Sequence, residues 1–166
     1  KDDSREIRQM KMEMHYIKGR YDIAMGDYDS GIANIEKSIF LAQKLNAHKN
    51  LLACYKQQVF HGIQREDLEK VDKYVTLGLG CIKKEERDEY ATFLRLKGWY
   101  HVQRQEYRMA EDVLQKALMV FRELEDGGGK YTASIAACFN YIGDIYRIQD
   151  RYDEALEYYM KGITVG

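Results

Sequence analysis

Four histidines, three cysteines and one glycine-rich stretch are the residues of this 166-residue chain whose types could carry chemistry. A zinc hydrolase needs its ligands at fixed short spacings, such as two histidines four apart on one helix. His15, His48, His61 and His101 are scattered over separate segments and form no such pattern, so neither a metal site nor a cofactor is expected. Cys54, Cys81 and Cys138 are odd in number and far apart, with no C-x-x-C motif and no disulfide framework. Gly127-Gly128-Gly129-Lys130 superficially suggests a phosphate cradle. It lacks the G-x-x-x-x-G-K-[ST] spacing and follows a helical pattern, so it reads as a flexible connection. No nucleophile and base can be paired, so no catalytic residue is assigned and the chain is read as a non-enzyme.

Composition narrows the class further. Hydrophobic residues make up 45% and charged residues 32%, the balance of a soluble globular chain with a substantial core. A net charge of −1 argues against broad phosphate neutralisation, so this segment is not expected to contact nucleic acid directly. No apolar run of about 18 residues exists to span a membrane. The first residues, Lys1-Asp2-Asp3-Ser4-Arg5-Glu6, lack a signal-peptide apolar region and an initiator Met, and the last helical pattern stops uncapped at Gly166. A fragment of a longer protein is the expectation. Free thiols without a signal sequence point to a reducing compartment, the cytoplasm.

The elements that position these residues follow from an internal register. A nine-residue step occurs four times, Gly19 to Tyr28, Val59 to Leu68, Gly98 to Tyr107 and Gly143 to Tyr152. A compact residue follows three on (Gly31, Val71, Ala110, Ala155), then an apolar one (Ile35, Val75, Leu114, Tyr159), then a small one (Ser38, Gly78, Ala117, Gly162). A fixed register of this kind marks a repeat protein. Proline is absent, so Gly, Asn and Asp must supply the breaks. The periodicity predicts eight helices in four hairpins, the first at about 4–25, the third and fourth at about 48–64 and 67–83, the fifth at about 86–104, and the seventh and eighth at about 131–148 and 151–165. Asp3 and Glu6 resemble a capping box opening the first. Tyr28, Ile32, Ile35, Ile39 and Ala42 form the expected stripe of the second. Ala110, Val113, Leu114, Ala117, Leu118, Phe121 and Leu124 give the sixth the clearest amphipathic face. Gly19, Gly98 and Gly143 are expected to face Gly31, Ala110 and Ala155, letting paired helices approach closely. Cys54 and Cys138 fall at equivalent positions and are expected to pack.

At these residues the chain resembles the tetratricopeptide repeat (TPR) family. The fourth repeat matches best, through Phe139-x-x-Ile142-Gly143-x-x-Tyr146, Tyr152, Ala155, Tyr159 and Gly162, and the third follows through Leu94, Gly98, Tyr107, Ala110, Leu114 and Ala117. The second is degenerate, with Val59 in the place of the tight glycine. Repeat lengths of 40, 39 and 45 residues, read from Gly19 to Val59 to Gly98 to Gly143, exceed the family's usual ~34, and the proline that often closes each repeat is missing. The resemblance implies an all-α, right-handed superhelical solenoid of about four helix hairpins. It makes residues 1–166 a single array, with repeats at about 4–46, 47–84, 85–126 and 130–166. The style of Leu94-Arg95-Leu96-Lys97-Gly98-Trp99-Tyr100 and Glu106-Tyr107-Arg108-Met109-Ala110-Glu111 is similar to the repeat domains of bacterial transcriptional activators.

In such arrays the first helix of each pair lines a concave groove. The resemblance therefore implies a partner-binding surface of Tyr16, Arg20, Lys56, Phe60, Gln64, Arg95, Trp99, Gln103, Asn140, Asp144 and Arg147. Aromatics beside Arg are the usual material of interface hot spots. Trp99 and Phe60 also read as residues packed against neighbours, and Lys56 and Arg95 as ordinary solvated charges. The family's clamp for chaperone-tail carboxylates needs Asn directly after the tight glycine. Arg20, Phe60, Trp99 and Asp144 stand there instead. His101 occupies the place of a core tyrosine and is expected to be half-buried. The functional expectation is protein or peptide recognition, as the sensory or assembly part of a transcriptional regulator. The alternative is a scaffold that self-associates, as a homodimer, through the apolar faces of its terminal helices.

Overall fold

A computed structural model of the chain describes residues 2–165, with side chains from Ser4 to Val165. The helices are α1 (Asp2–Ala24), α2 (Tyr28–Leu45), α3 (His48–Gln64), α4 (Leu68–Cys81), α5 (Arg87–Gln103), α6 (Tyr107–Asp126), α7 (Thr132–Ile148) and α8 (Tyr152–Thr164). No strand occurs among the described residues. The six helices for which the periodicity gives a range are observed within a few residues of it, and the stripes read for the second and sixth fall inside α2 and α6. The capping box expected at Asp3 and Glu6 depends on a side chain outside the described residues.

Two compact units divide the chain, Lys1–Cys81 and Ile82–Gly166. In the first, hairpins α1–α2 and α3–α4 join through packing of α2 on α3, and α1 also touches α3. In the second, α5–α6 and α7–α8 join through α6 on α7, and α5 touches α7. Each unit is thus the same all-α helical-repeat arrangement of two hairpins.

The turn inside every hairpin uses one device. The residue two before each second helix takes the left-handed conformation: Gly26 (φ 88°), Glu66 (53°), Gln105 (62°) and Asp150 (61°). The amide after it then donates back to the last turn of the first helix. These bonds are Asp27 N to Asp22 O at 2.8 Å, Asp67 N to Gly62 O at 2.8 Å, Glu106 N to His101 O at 2.9 Å and Arg151 N to Tyr146 O at 2.9 Å. This is the Schellman closure, which satisfies orphan carbonyls without proline. Only the first turn uses glycine for it.

Packing within the hairpins departs from the expected pairing in one respect. A Cβ on Gly98 would lie 2.6 Å from Leu114, one on Gly143 2.7 Å from the Tyr159 ring, and one on Gly19 2.8 Å from Ile35. The tight glycines therefore receive the large residue sixteen positions on. Gly19 and Gly31 also face each other, since a Cβ on either would lie 2.9 Å from the other's carbonyl oxygen, but Gly98 and Gly143 are filled by Leu114 and Tyr159 ahead of Ala110 and Ala155. The reason is volume: a bare helix backbone is a hole that a large side chain fills. Where Val59 fills its own hole, the residue sixteen on is the smaller Val75, and both are buried.

The α2 stripe is also rotated from expectation. Its buried residues are Gly31, Asn34, Ile35, Ser38, Ala42 and Leu45, while Ile32 and Ile39 are half-buried at the flank. Polar Asn34 and Ser38 are tolerated because each is bonded: Asn34 Oδ1 to His15 Nδ1 at 2.8 Å, and Ser38 Oγ donating to Met12 O at 2.8 Å. In the second unit Ala117, Leu118 and Phe121 of α6 pack on Ile135, Cys138 and Phe139 of α7.

Candidate functional site

Burial accounts for two of the three thiols. Cys54 and Cys138 are fully buried, and desolvation pushes their pKa values up to about 11 and about 12. Such thiols stay protonated and unreactive. Among the described residues no group of three His, Cys, Asp or Glu side chains is placed to hold a metal ion. His101 is buried, deeper than expected, and its Nδ1 lies 2.9 Å from Glu106 Oε1. That bond holds the Glu106 carboxyl below the usual carboxylate range. His61 packs its Nδ1 2.8 Å from Lys70 Nζ. Burial, then the neighbouring Lys70 charge, lowers the His61 pKa. Both histidines act within hairpin turns, as packing residues.

The expected partner-binding residues occupy the first helices, α1, α3, α5 and α7, and all are at least partly accessible. In the first unit the Arg20 guanidinium lies over the Tyr16 ring, 5.6 Å from its centroid. On the touching helix α3, Lys56 is half-buried and Phe60 is 43% exposed. Gln64, at the end of the same helix, donates its Nε2 to the Tyr28 hydroxyl at 2.8 Å.

In the second unit Arg95 and Trp99 are half-buried on α5, with Gln103 exposed beyond them. Arg95 Nε is shielded from solvent and has no hydrogen-bond acceptor. Its charge acts on the Cys138 thiol of α7, opposing the effect of burial there. On α7, Asn140 and Arg147 are exposed and Asp144 is half-buried. Asp144 and Arg147 share a third residue. Tyr159 of α8 donates its hydroxyl to Asp144 Oδ1 and accepts from Arg147 Nε at 3.2 Å. Arg147 Nη2 also reaches Asp144 Oδ1 at 3.5 Å. Burial, then the bond to Asp144, raises the Tyr159 pKa.

Sequence reasoning missed Tyr159 and Tyr28 as parts of this surface. Both belong to second helices, which the repeat assigns to the outside. One signal was present in Tyr159 itself: it stands where Ile35 and Leu114 stand, and a phenol there brings a hydroxyl that must find a partner. Direct contacts link Tyr16 to Arg20 and Asp144 to Arg147. The other residues are distributed over α1, α3, α5 and α7.

A tetratricopeptide repeat family model matches residues 135–165, the segment of α7 and α8 that carries Ile142, Gly143, Tyr146, Tyr152, Ala155 and Tyr159. Repeats of this family mediate protein–protein interaction. No curated protein matches the chain. Among solved structures the fold is similar to BtubC (BKLC) from P. vanneervenii, with a TM-score of 0.79 at 12% identity over 93% of this chain. The chain spans 62% of that protein's length, and the likeness concerns the fold alone. No helix among the described residues is long and apolar enough to cross a membrane.

Proposed function

We propose that the chain recognises a protein partner, through an extended peptide segment laid on the first helices of a two-hairpin unit. The observation that carries this reading is the composition of the accessible α5–α7 face. Trp99 is flanked on α5 by Arg95, whose shielded Nε lacks an acceptor, and Asp144 and Arg147 lie on the touching helix. An arginine already held by packing loses little entropy on binding, and its fork suits a carboxylate or a backbone carbonyl. The half-buried indole supplies rigid apolar area beside it. The α1–α3 face repeats the theme with Arg20 stacked on Tyr16 beside Phe60.

Placed in a longer protein, such a module would serve as the sensory or assembly part of a cytoplasmic transcriptional regulator. That finer role is supported by the sequence style of residues 94–111. Binding would be selected from a displayed library of random peptides and then measured against Arg95→Glu/Trp99→Ala. The double variant is expected to lose at least tenfold in affinity, about 1.4 kcal/mol. Unchanged affinity would remove these helices as the binding face.

A further inference from the structure

Helix α1 has two apolar faces on opposite sides. Met12, Gly19 and Ile23 turn inward, where Gly19 and Ile23 meet Ile35 and Gly31 of α2 and Met12 packs with Ala42 and Leu45. Diametrically opposite, Ile7, Met10, Met14, Ile17 and Tyr21 form a second stripe in which every residue is at least half exposed. Their spacing is three, four, three, four. This is the a and d pattern of a heptad, with Ile7, Met14 and Tyr21 at a and Met10 and Ile17 at d. An apolar seam of this regularity on a solvated helix asks for a covering helix.

The residues flanking the seam specify which one. On this register Glu6, Glu13 and Arg20 occupy g, and Lys11, Lys18 and Met25 occupy e; all six are exposed, and Arg20 would meet the uncharged Met25. In a parallel pair of helices a g residue meets the partner's e residue five positions on. Glu6 then meets Lys11, and Glu13 meets Lys18, of a second copy of the same helix. Both pairs are opposite in charge, and two-fold symmetry repeats each on the other side. Lys18 also pairs with Asp22 on the inward side of α1 at 2.9 Å, so a dimer would set its ammonium between two carboxylates. An antiparallel pairing would oppose lysine to lysine across e. A further hairpin stacked as α2 stacks on α3 would place Lys18 at the position of Gln58, which is 1% exposed. That burial would strip the ammonium of water with only its existing partner Asp22 in exchange, a desolvation cost that a buried ion pair does not reliably recover.

We infer that the chain forms a homodimer through a parallel two-helix seam between the α1 helices of two copies. The α1 helix is already held by α2, so pairing does not have to fold it first. The contact lies on the far side of α1 from its core and does not rest on the peptide-binding reading, although Arg20, at the last g position, borders the α1–α3 face as well.

Light scattering of the eluting protein over a concentration series from low to high micromolar tests this. The wild type runs as a dimer at the upper concentrations, and Met14→Glu as a monomer with unchanged circular dichroism. Lys11→Glu/Lys18→Glu and Glu6→Lys/Glu13→Lys are each monomeric alone and associate on mixing. With Met10→Cys in a Cys81→Ser background, oxidation links the two copies at the d position, as only a parallel seam permits. A wild type that stays monomeric throughout overturns the proposal and leaves the seam to a different helical partner. A dimer that survives Met14→Glu, or whose Met10→Cys variant resists oxidative cross-linking, overturns the assignment of the seam or of its direction.

Discussion

Tyr159 lies flat across the bare backbone of Gly143, so close that a Cβ on the glycine would stand 2.7 Å from the ring. That closeness is what lets a residue of the outer helix deliver its hydroxyl to Asp144 on the inner one. Core packing and candidate surface are joined at this point. Gly143→Ala is therefore expected to cost about 1–3 kcal/mol through overpacking, against a helix-propensity gain of about 1 kcal/mol. Tyr159→Phe keeps the packing and removes the hydroxyl, for a loss of about 0.5–1.5 kcal/mol. Urea titration of both variants checks the two losses.

The left-handed turn residues give a prediction of opposite sign. Gln105 is exposed and holds φ 62°, a conformation that glycine adopts without a Cβ penalty. Gln105→Gly is expected to stabilise the protein by about 0.5–1 kcal/mol, the relief of the Cβ strain less the greater unfolded-state entropy of glycine. A lower midpoint in urea would show that the turn carries no such strain.

Acid should weaken the fold in two stages. The pKa of His61 is lowered in the folded protein, so the unfolded chain binds its proton first. Stability from this group is present above about pH 6.5 and is lost as pH falls through the depressed folded value. Asp22 and Glu106 are also lowered, chiefly by hydrogen bonds from Ser30 and His101 respectively. Their contribution is present above the normal carboxylate range and disappears as pH falls through their folded values. Unfolding free energies measured from neutral to acid pH should fall in both windows. In His61→Gln the upper window should flatten while the lower one persists.

Thiol labelling separates the three cysteines. Cys54 and Cys138 are buried with raised pKa values, while Cys81 is partly accessible. An aromatic disulfide reagent followed by peptide mass mapping should modify Cys81 in the native protein, and Cys54 and Cys138 only on unfolding. Early labelling of Cys138 would mean that α6 and α7 separate readily in solution.

Much of the architecture was legible because one register repeats. The step from Gly19, Val59, Gly98 and Gly143 to the next helix set all eight helices, and the equivalence of Cys54 and Cys138 foretold two buried thiols. Partner identity inside the hairpins was less legible. Spacing showed that Gly98 is tight but not that Leu114 rather than Ala110 fills it, because that depends on how two helix surfaces interlock. The rotation of the α2 stripe had a similar origin. Counting apolar residues favoured Ile32 and Ile39, whereas packing chose Gly31, Asn34 and Ser38, whose small or bonded side chains admit a close neighbour. That the candidate residues lie on first helices was legible, whereas the bonds that Tyr28 makes with Gln64, and Tyr159 with Asp144 and Arg147, from second helices were hidden.

Trp99 is the chain's only tryptophan and belongs to the proposed α5–α7 face, so its emission reports on binding there without a label. Titration of a selected peptide should produce a saturable change in Trp99 emission, with an affinity that Arg95→Glu weakens at least tenfold. Peptide binding of equal affinity with a silent Trp99 and an indifferent Arg95 would contradict the account and move recognition to another face of the molecule.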